Sequence, residues 1–257
     1  MSYLIVCSVA LLASALTFFS GFGLGTLLLP AFALFFPVGQ AVALTAVVHF
    51  LNGLFKLTLT ARHGDRRVVL LFGLPACAMA LVGAWLLTWL ADTRPLLTYV
   101  AAGHAFDVTP VKLVIGFLLL AFALLDLVPR FRSLAFGARY LPLGGLLSGF
   151  LGGLAGMQGA LRSAFLARAG LTKEGFIGTG VVIACLIDFS RLAIYSTTGE
   201  HDSVSGHVPL LGCAVAAAFL GAIVGNRTLK KITLPGVQRI VAVMLMGVSV
   251  GLMAGVL

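Results

Sequence analysis

Apolar runs of about helix-spanning length follow one another along this chain with only short polar stretches between them, and nothing else in the sequence restricts its fold so severely. A bilayer core about 30 Å thick is crossed by roughly 20 apolar residues in a helix. The runs occupy residues 3–19, 24–36, 41–60, 68–90, 111–128, 140–154, 160–169, 176–197, 208–225 and 237–256, which predicts an all-α, polytopic transmembrane helical bundle. Only 10% of the residues are charged, against about a quarter in an ordinary globular domain, so a soluble domain has no room to exist. The first run lacks the basic leading segment of a cleaved signal peptide and is read as a span.

Lys and Arg number 17 against 8 Asp and Glu, a formal net charge of +9. In a soluble protein that excess would suggest a nucleic-acid partner. In a membrane protein it follows from the enrichment of Lys and Arg in cytoplasmic loops, and no nucleic acid is expected. Arg62, Arg66 and Arg67, then Arg130, Arg132 and Arg139, then Arg227, Lys230 and Lys231 mark loops 62–67, 129–139 and 226–236 as cytoplasmic. The N-terminus, loop 92–110, the acidic loop 199–207 with Glu200 and Asp202, and the C-terminus then face outward. Runs 24–36 and 160–169 are short, so eight to ten crossings are expected. Cys7, Cys77, Cys185 and Cys213 all lie in apolar runs without paired spacing and read as small hydrophobes.

The chain repeats itself. SerGlyPheGlyLeuGlyThr at 20–26 is echoed by SerGlyPheLeuGlyGlyLeuAlaGly at 148–156, AlaLeuThrAlaValValHis at 43–49 by IleGlyThrGlyValValIle at 177–183, and PheLysLeu at 55–57 by SerArgLeu at 190–192. The divisions are a first repeat over 1–128, a connecting loop over 129–139 and a second repeat over 140–257. Each half holds five segments, an odd number, so the second copy enters the membrane with opposite polarity, and two inverted-topology repeats with glycine-broken helices are expected. In that arrangement substrates bind near the midplane at discontinuous helices. The breaks fall at Gly21, Gly23 and Gly25, and at Gly156 to Gly159. Half-helix N-termini carry about half a positive charge, and glycine lets an anion reach bare backbone. Together the two breaks can cradle one anion.

Several polar side chains sit in these oily runs. His49, Asn52 and Lys56 are spaced by three and four, which places them on one helical face, and Thr45 lies one turn earlier. Intramembrane polar residues normally face the protein interior or a water cavity; for His49 and Asn52 a plain interhelical hydrogen bond competes evenly, and for Lys56 snorkelling to the interface does. Asp188 and Arg191, three apart, can form an internal ion pair, with donors left on the guanidinium for an oxyanion. Arg162 follows the second break, where it opposes a half-helix dipole unless an anion lies between; an interfacial position is its competing reading. Asp126 reads as interfacial, and His104, Asp107 and Lys112 as solvated. HExxH, GxGD and CxxC patterns are absent from the sequence, and neither an enzyme, a cofactor nor a metal site is expected.

The glycine-rich break with Gly21, Gly23, Gly25 and Pro30, followed by Thr45, Asn52 and Lys56, and its echo with Gly156, Thr179 and Arg191, resembles the sulfite exporter TauE/SafE family of membrane permeases. The resemblance covers nearly the whole chain. Departures are Ser163 where the first copy has Pro30, and Gln158 and Arg162, which match no general motif of that family. It implies a duplicated helical bundle that exports sulfite or small organosulfur anions across the bacterial inner membrane. The expected partners are a small anion and the lipid bilayer, with a coupling proton or cation and an oligomer both compatible. The expected substrate-binding set is Gly23, Gly25, Thr26, Thr45, His49, Asn52, Lys56, Gly156, Gln158, Gly159, Arg162, Asp188 and Arg191. A passive anion channel, or a non-transporting membrane subunit, are the alternatives.

Overall fold

A computed structural model of the chain describes residues 1–17, 23–101, 103–128, 135–198, 204–228 and 235–257, with side chains at all of these except Ala61, Asp126 and 226–241. Ser20 and Gly21 of the first break, the arginines of loop 129–134, and Glu200 and Asp202 lie outside the described residues. Ten helices carry the described chain: α1 Ser2–Leu16, α2 Leu24–Ala33, α3 Val38–Thr60, α4 Arg66–Ala91, α5 Pro110–Leu127, α6 Leu141–Ala155, α7 Gly159–Leu166, α8 Lys173–Tyr195, α9 Val208–Thr228 and α10 Pro235–Met253. Among them α3, α4, α8 and α9 are long and apolar enough to cross a membrane by themselves.

Local chemistry fixes several starts. The Asp65 carboxylate accepts from Val68 N–H at the head of α4, and Thr172 Oγ1 accepts from Gly175 N–H at the head of α8. Such caps satisfy donors that a helix start otherwise leaves unpaired. Thr109 Oγ1 caps α5, with Pro110 in the first position, where its missing N–H costs no bond.

Loop 92–110, expected as a plain connection, instead contains a two-stranded antiparallel hairpin, β1 Leu97–Ala101 and β2 His104–Val108. The helical bundle is as expected, with this small two-stranded sheet as its one described β element. The hairpin grips the chain's end: Tyr99 Oη donates to Ala254 O at 2.6 Å, and Lys112 Nζ donates to Asp107 O at 2.9 Å and Gly255 O at 3.2 Å. The C-terminus therefore lies on the hairpin's side. Lys112 and Asp107 are bonded into this clasp rather than simply solvated, since Asp107 Oδ1 also accepts from Thr98 Oγ1.

The two short helices turn back. Phe136 N–H donates to Ala164 O, and Gly137 bridges Arg168, so the end of α7 returns to the level where α6 began. On the opposite side Phe36, just after α2, packs edge-on against His207 at the head of α9 with ring centroids 4.8 Å apart. Helix α1 runs parallel to α9, Gly221 lying against Leu11 and Gly225 against Ala15, so α2 also returns to the level where α1 started. Each short helix therefore comes back toward the level at which the helix before it began, so neither α1 with α2 nor α6 with α7 makes a net passage through the bundle. The physical cause is length: α2 has 10 residues and α7 has 8, while a crossing needs roughly 20.

The most extensive helix contacts join the halves: α4 to α6, α1 to α9, α5 to α10, α4 to α8, and α3 to α8. The α4–α6 contact explains a glycine run that the sequence assigns to the second break. Ser148 to Gly153 lies inside α6, and a β-carbon on Gly145, Gly149 or Gly153 would overlap the carbonyl oxygen of Phe72, Ala76 or Ala80. Those glycines bring two backbones together, as small residues do between membrane helices; the break itself comes later, at Gly156 to Gln158.

Candidate functional site

Helix α6 ends at Gly156, whose φ of +72° is a left-handed conformation that glycine adopts without strain. The chain then turns through Met157 and Gln158 into α7, steadied by Ser148 Oγ, which donates to Gln158 O at 2.9 Å. Helix α2 begins in a similar way after Gly23, with Thr26 Oγ1 donating to Gly23 O at 3.0 Å. The two breaks touch: a β-carbon placed on Gly25 would lie 3.1 Å from Gly156 O and 3.7 Å from His49 Cδ2. First-turn N–H groups have no acceptors within their own helix, so both α2 and α7 bring bare donors toward this crossing.

Asp188 on α8 is the hub of the polar groups beside it. Its Oδ1 accepts from Arg191 Nε at 3.0 Å, lies 2.8 Å from Arg191 Nη2, and accepts from Gln158 Nε2 at 3.4 Å. Its Oδ2 meets His49 Nδ1 at 2.5 Å. Gln158 Oε1 in turn accepts from Arg162 Nη1 at 3.2 Å. This chain sets two ambiguous groups: facing a carboxylate and a guanidinium, Gln158 must point its NH₂ at Asp188 and its oxygen at Arg162. A carboxylate beside a guanidinium is ionised and acceptor-only, so His49 Nδ1 carries the hydrogen.

Asp188, Arg191, Arg162 and Gln158 are buried, Arg162 being 3% exposed. Arg162 is thus an interior residue of the break rather than an interfacial one. It passes Gly180 on α8, where a β-carbon would lie 3.6 Å from Arg162 Nε. Half-buried Lys56 is close enough to Arg162 for the two charges to repel. Arg191 Nη1 has no hydrogen-bond acceptor among the described residues and lies against Gly156, where a β-carbon would be 2.7 Å from it. The buried Thr45 hydroxyl also lacks a partner there. Orphaned buried polar atoms of this kind are rare and call for an explanation.

Of the expected set, the structure gathers Gly25, His49, Gly156, Gln158, Arg162, Asp188 and Arg191 around one crossing, with Gly23, Thr26 and Gly159 at the adjoining helix starts. Asn52 is directed elsewhere: its Oδ1 accepts from Ser14 Oγ of α1 at 3.2 Å. The shared face of His49, Asn52 and Lys56 is therefore divided, because residues three apart differ by about 60° around a helix and α3 has neighbours on more than one side. Thr179, part of the echo, accepts from Asp65 N–H and ties α8 to the 62–67 loop. Residues that sequence reasoning passed over include Ser14, Ser148 as the brace of the break, and Tyr195, whose Oη donates to Gly153 O at 2.6 Å. A hydroxyl within an apolar run was the only signal available for each.

No curated protein and no solved structure matches the chain. The family model described as sulfite exporter TauE/SafE matches residues 6–252. With a helical membrane bundle and a buried cationic crossing of two broken helices already in view, this match means that the chain belongs to the sulfite exporter TauE/SafE family.

Proposed function

We propose that this protein is a secondary transporter of a small anion, sulfite or an organosulfonate, which it moves outward across the bacterial inner membrane by alternating exposure of a midplane site. The observation that carries the reading is Arg191 Nη1, buried without an acceptor against Gly156 where the two breaks touch. A buried guanidinium is costly unless its donors and charge are matched, and an oxyanion at this point supplies the missing acceptor. The described buried side chains hold two guanidiniums and one carboxylate, so a bound anion also balances charge. First-turn amides of α2 and α7, with Arg162, Lys56 and His49 nearby, complete the cradle.

The same reading takes the halves 1–128 and 140–257 as inverted copies. Exchanging them maps the α4–α6 contact onto α9–α1 and leaves α5–α10 and α3–α8 paired with themselves; Gly83 against Phe150 and Leu154 then corresponds to Gly221 against Leu11 and Ala15. The basic loops face the cytoplasm and both termini face out. An inside-negative potential favours anion export by about 2.3 kcal/mol per charge per 100 mV.

In proteoliposomes the wild type should exchange labelled sulfite by counterflow. Arg191→Lys keeps the charge but loses the planar fork, and should slow exchange by roughly ten- to a hundredfold, as expected for one charged hydrogen bond. Unchanged rates in both Arg191→Lys and Arg162→Ala overturn the anion site. Sulfite flux without counterflow makes the protein a passive channel instead.

A further inference from the structure

We infer that His49 binds a proton together with the anion, so that the two travel as one cargo; this rests on the transport reading above and adds its coupling ion. The argument begins with the two ring nitrogens. Nδ1 is committed as a donor to Asp188 Oδ2 at 2.5 Å, because Asp188 is held ionised by Arg191 through Oδ1. In a neutral ring Nε2 then carries only a lone pair. Cδ2, the carbon bonded to Nε2, faces Gly25 in the first turn of α2, so this edge of the ring borders the crossing of the breaks. A lone pair there repels an oxyanion, whereas a protonated Nε2 donates to it and adds a positive charge.

Exposure singles out the same residue. The His49 side chain is 17% exposed while those of Asp188 and Arg191 are fully buried, so the imidazole is the most accessible of the three. Its other nitrogen already rests on a carboxylate, which steadies an imidazolium.

Among the described residues, few other titratable groups border this crossing, Lys56 being the main alternative proton carrier that the His49 variant must separate. Helix α8 presents Asp188, committed to Arg191, with Arg191 itself and the thiol of Cys185 a turn away. Helix α7 presents Arg162, and α2 has no titratable residue between Leu24 and Ala33. Within α3 the other titratable group is Lys56. On α4, α5 and α9, which also pack against α3, the titratable residues are Arg66, Arg67, Lys112, Asp126 and Arg227 near helix ends and the cysteines Cys77 and Cys213.

Sulfite itself takes up a proton near neutrality, so the test uses isethionate (2-hydroxyethanesulfonate), whose sulfonate stays ionised. Calorimetric titration of the purified full chain, in buffers of different ionisation enthalpy, reads protons taken up per anion bound. Where the free protein leaves the ring neutral, the wild type should take up close to one proton per anion, with Kd rising about tenfold per pH unit there. His49→Gln should bind more weakly, take up none, and show a pH-independent Kd. Wild-type binding without proton uptake and with a flat pH profile overturns the proton proposal and leaves the anion site standing, as does unaltered proton uptake in His49→Gln. If His49→Gln does not fold, the wild-type titration decides alone. Wild type that binds neither isethionate nor sulfite overturns both readings.

Discussion

Gly156 shows how much a single residue can carry. Its φ of +72° alone disfavours any side chain, by roughly 1–2 kcal/mol, and the space where a β-carbon would go is held by Arg191 Nη1. Gly170 has nearly the same backbone, φ +76°, but open space around it. Gly170→Ala should therefore cost about 1 kcal/mol from strain alone, while Gly156→Ala costs more and also displaces the guanidinium. Thermal unfolding in detergent checks the first part, and anion-dependent stabilisation, present in Gly170→Ala and lost in Gly156→Ala, checks the second. Sequence reasoning reached Gly156, Arg162, Asp188 and Arg191 because glycines and charges stand out in apolar runs. For Asn52 spacing left the choice open, because it shows which residues share a helix face but not which neighbour that face meets; Ser14, its hydrogen-bond partner, lies 38 positions away.

At the scale of the element, glycine acts in a second way. Along α6, Gly145, Gly149 and Gly153 recur every four residues and bring the backbone against α4. Gly149→Ala puts a methyl group into the Ala76 carbonyl and forces the helices apart, a loss of about 2 kcal/mol or more. Gly212→Ala on α9 meets nothing within 4 Å and should gain up to about 1 kcal/mol from helix propensity. A difference in melting temperature of opposite sign between the two variants is the expected result, and equal shifts would show that α4 and α6 do not make this contact. The helices themselves were legible, since apolar length marks each one to within a few residues. The hairpin of β1 and β2 was not, because its five-residue strands are short and one of its anchors, Tyr99 to Ala254, reaches the far end of the chain. Nor was the turning back of α2 and α7, since it is set by where their ends bond and not by their composition.

For the molecule as a whole, the basic loops and the returning pairs together give a testable orientation. Ala105 in the hairpin and Lys173 at the head of α8 are both exposed and lie on opposite faces in this arrangement. With the native cysteines replaced, Ala105→Cys should react with an impermeant maleimide added outside intact cells, and Lys173→Cys only after the membrane is opened; the reverse pattern would invert the topology. The pairings of α1 with α9 and α4 with α6 have a further consequence, for the timing of biogenesis. Translation proceeds at about 5–20 residues per second, so α4 enters the bilayer seconds before α6 exists, and α1 waits for nearly the entire chain before α9 arrives. In that interval their faces are covered by lipid or by insertion machinery. The first half is therefore a membrane-held intermediate whose packing is completed only as the last helices are delivered.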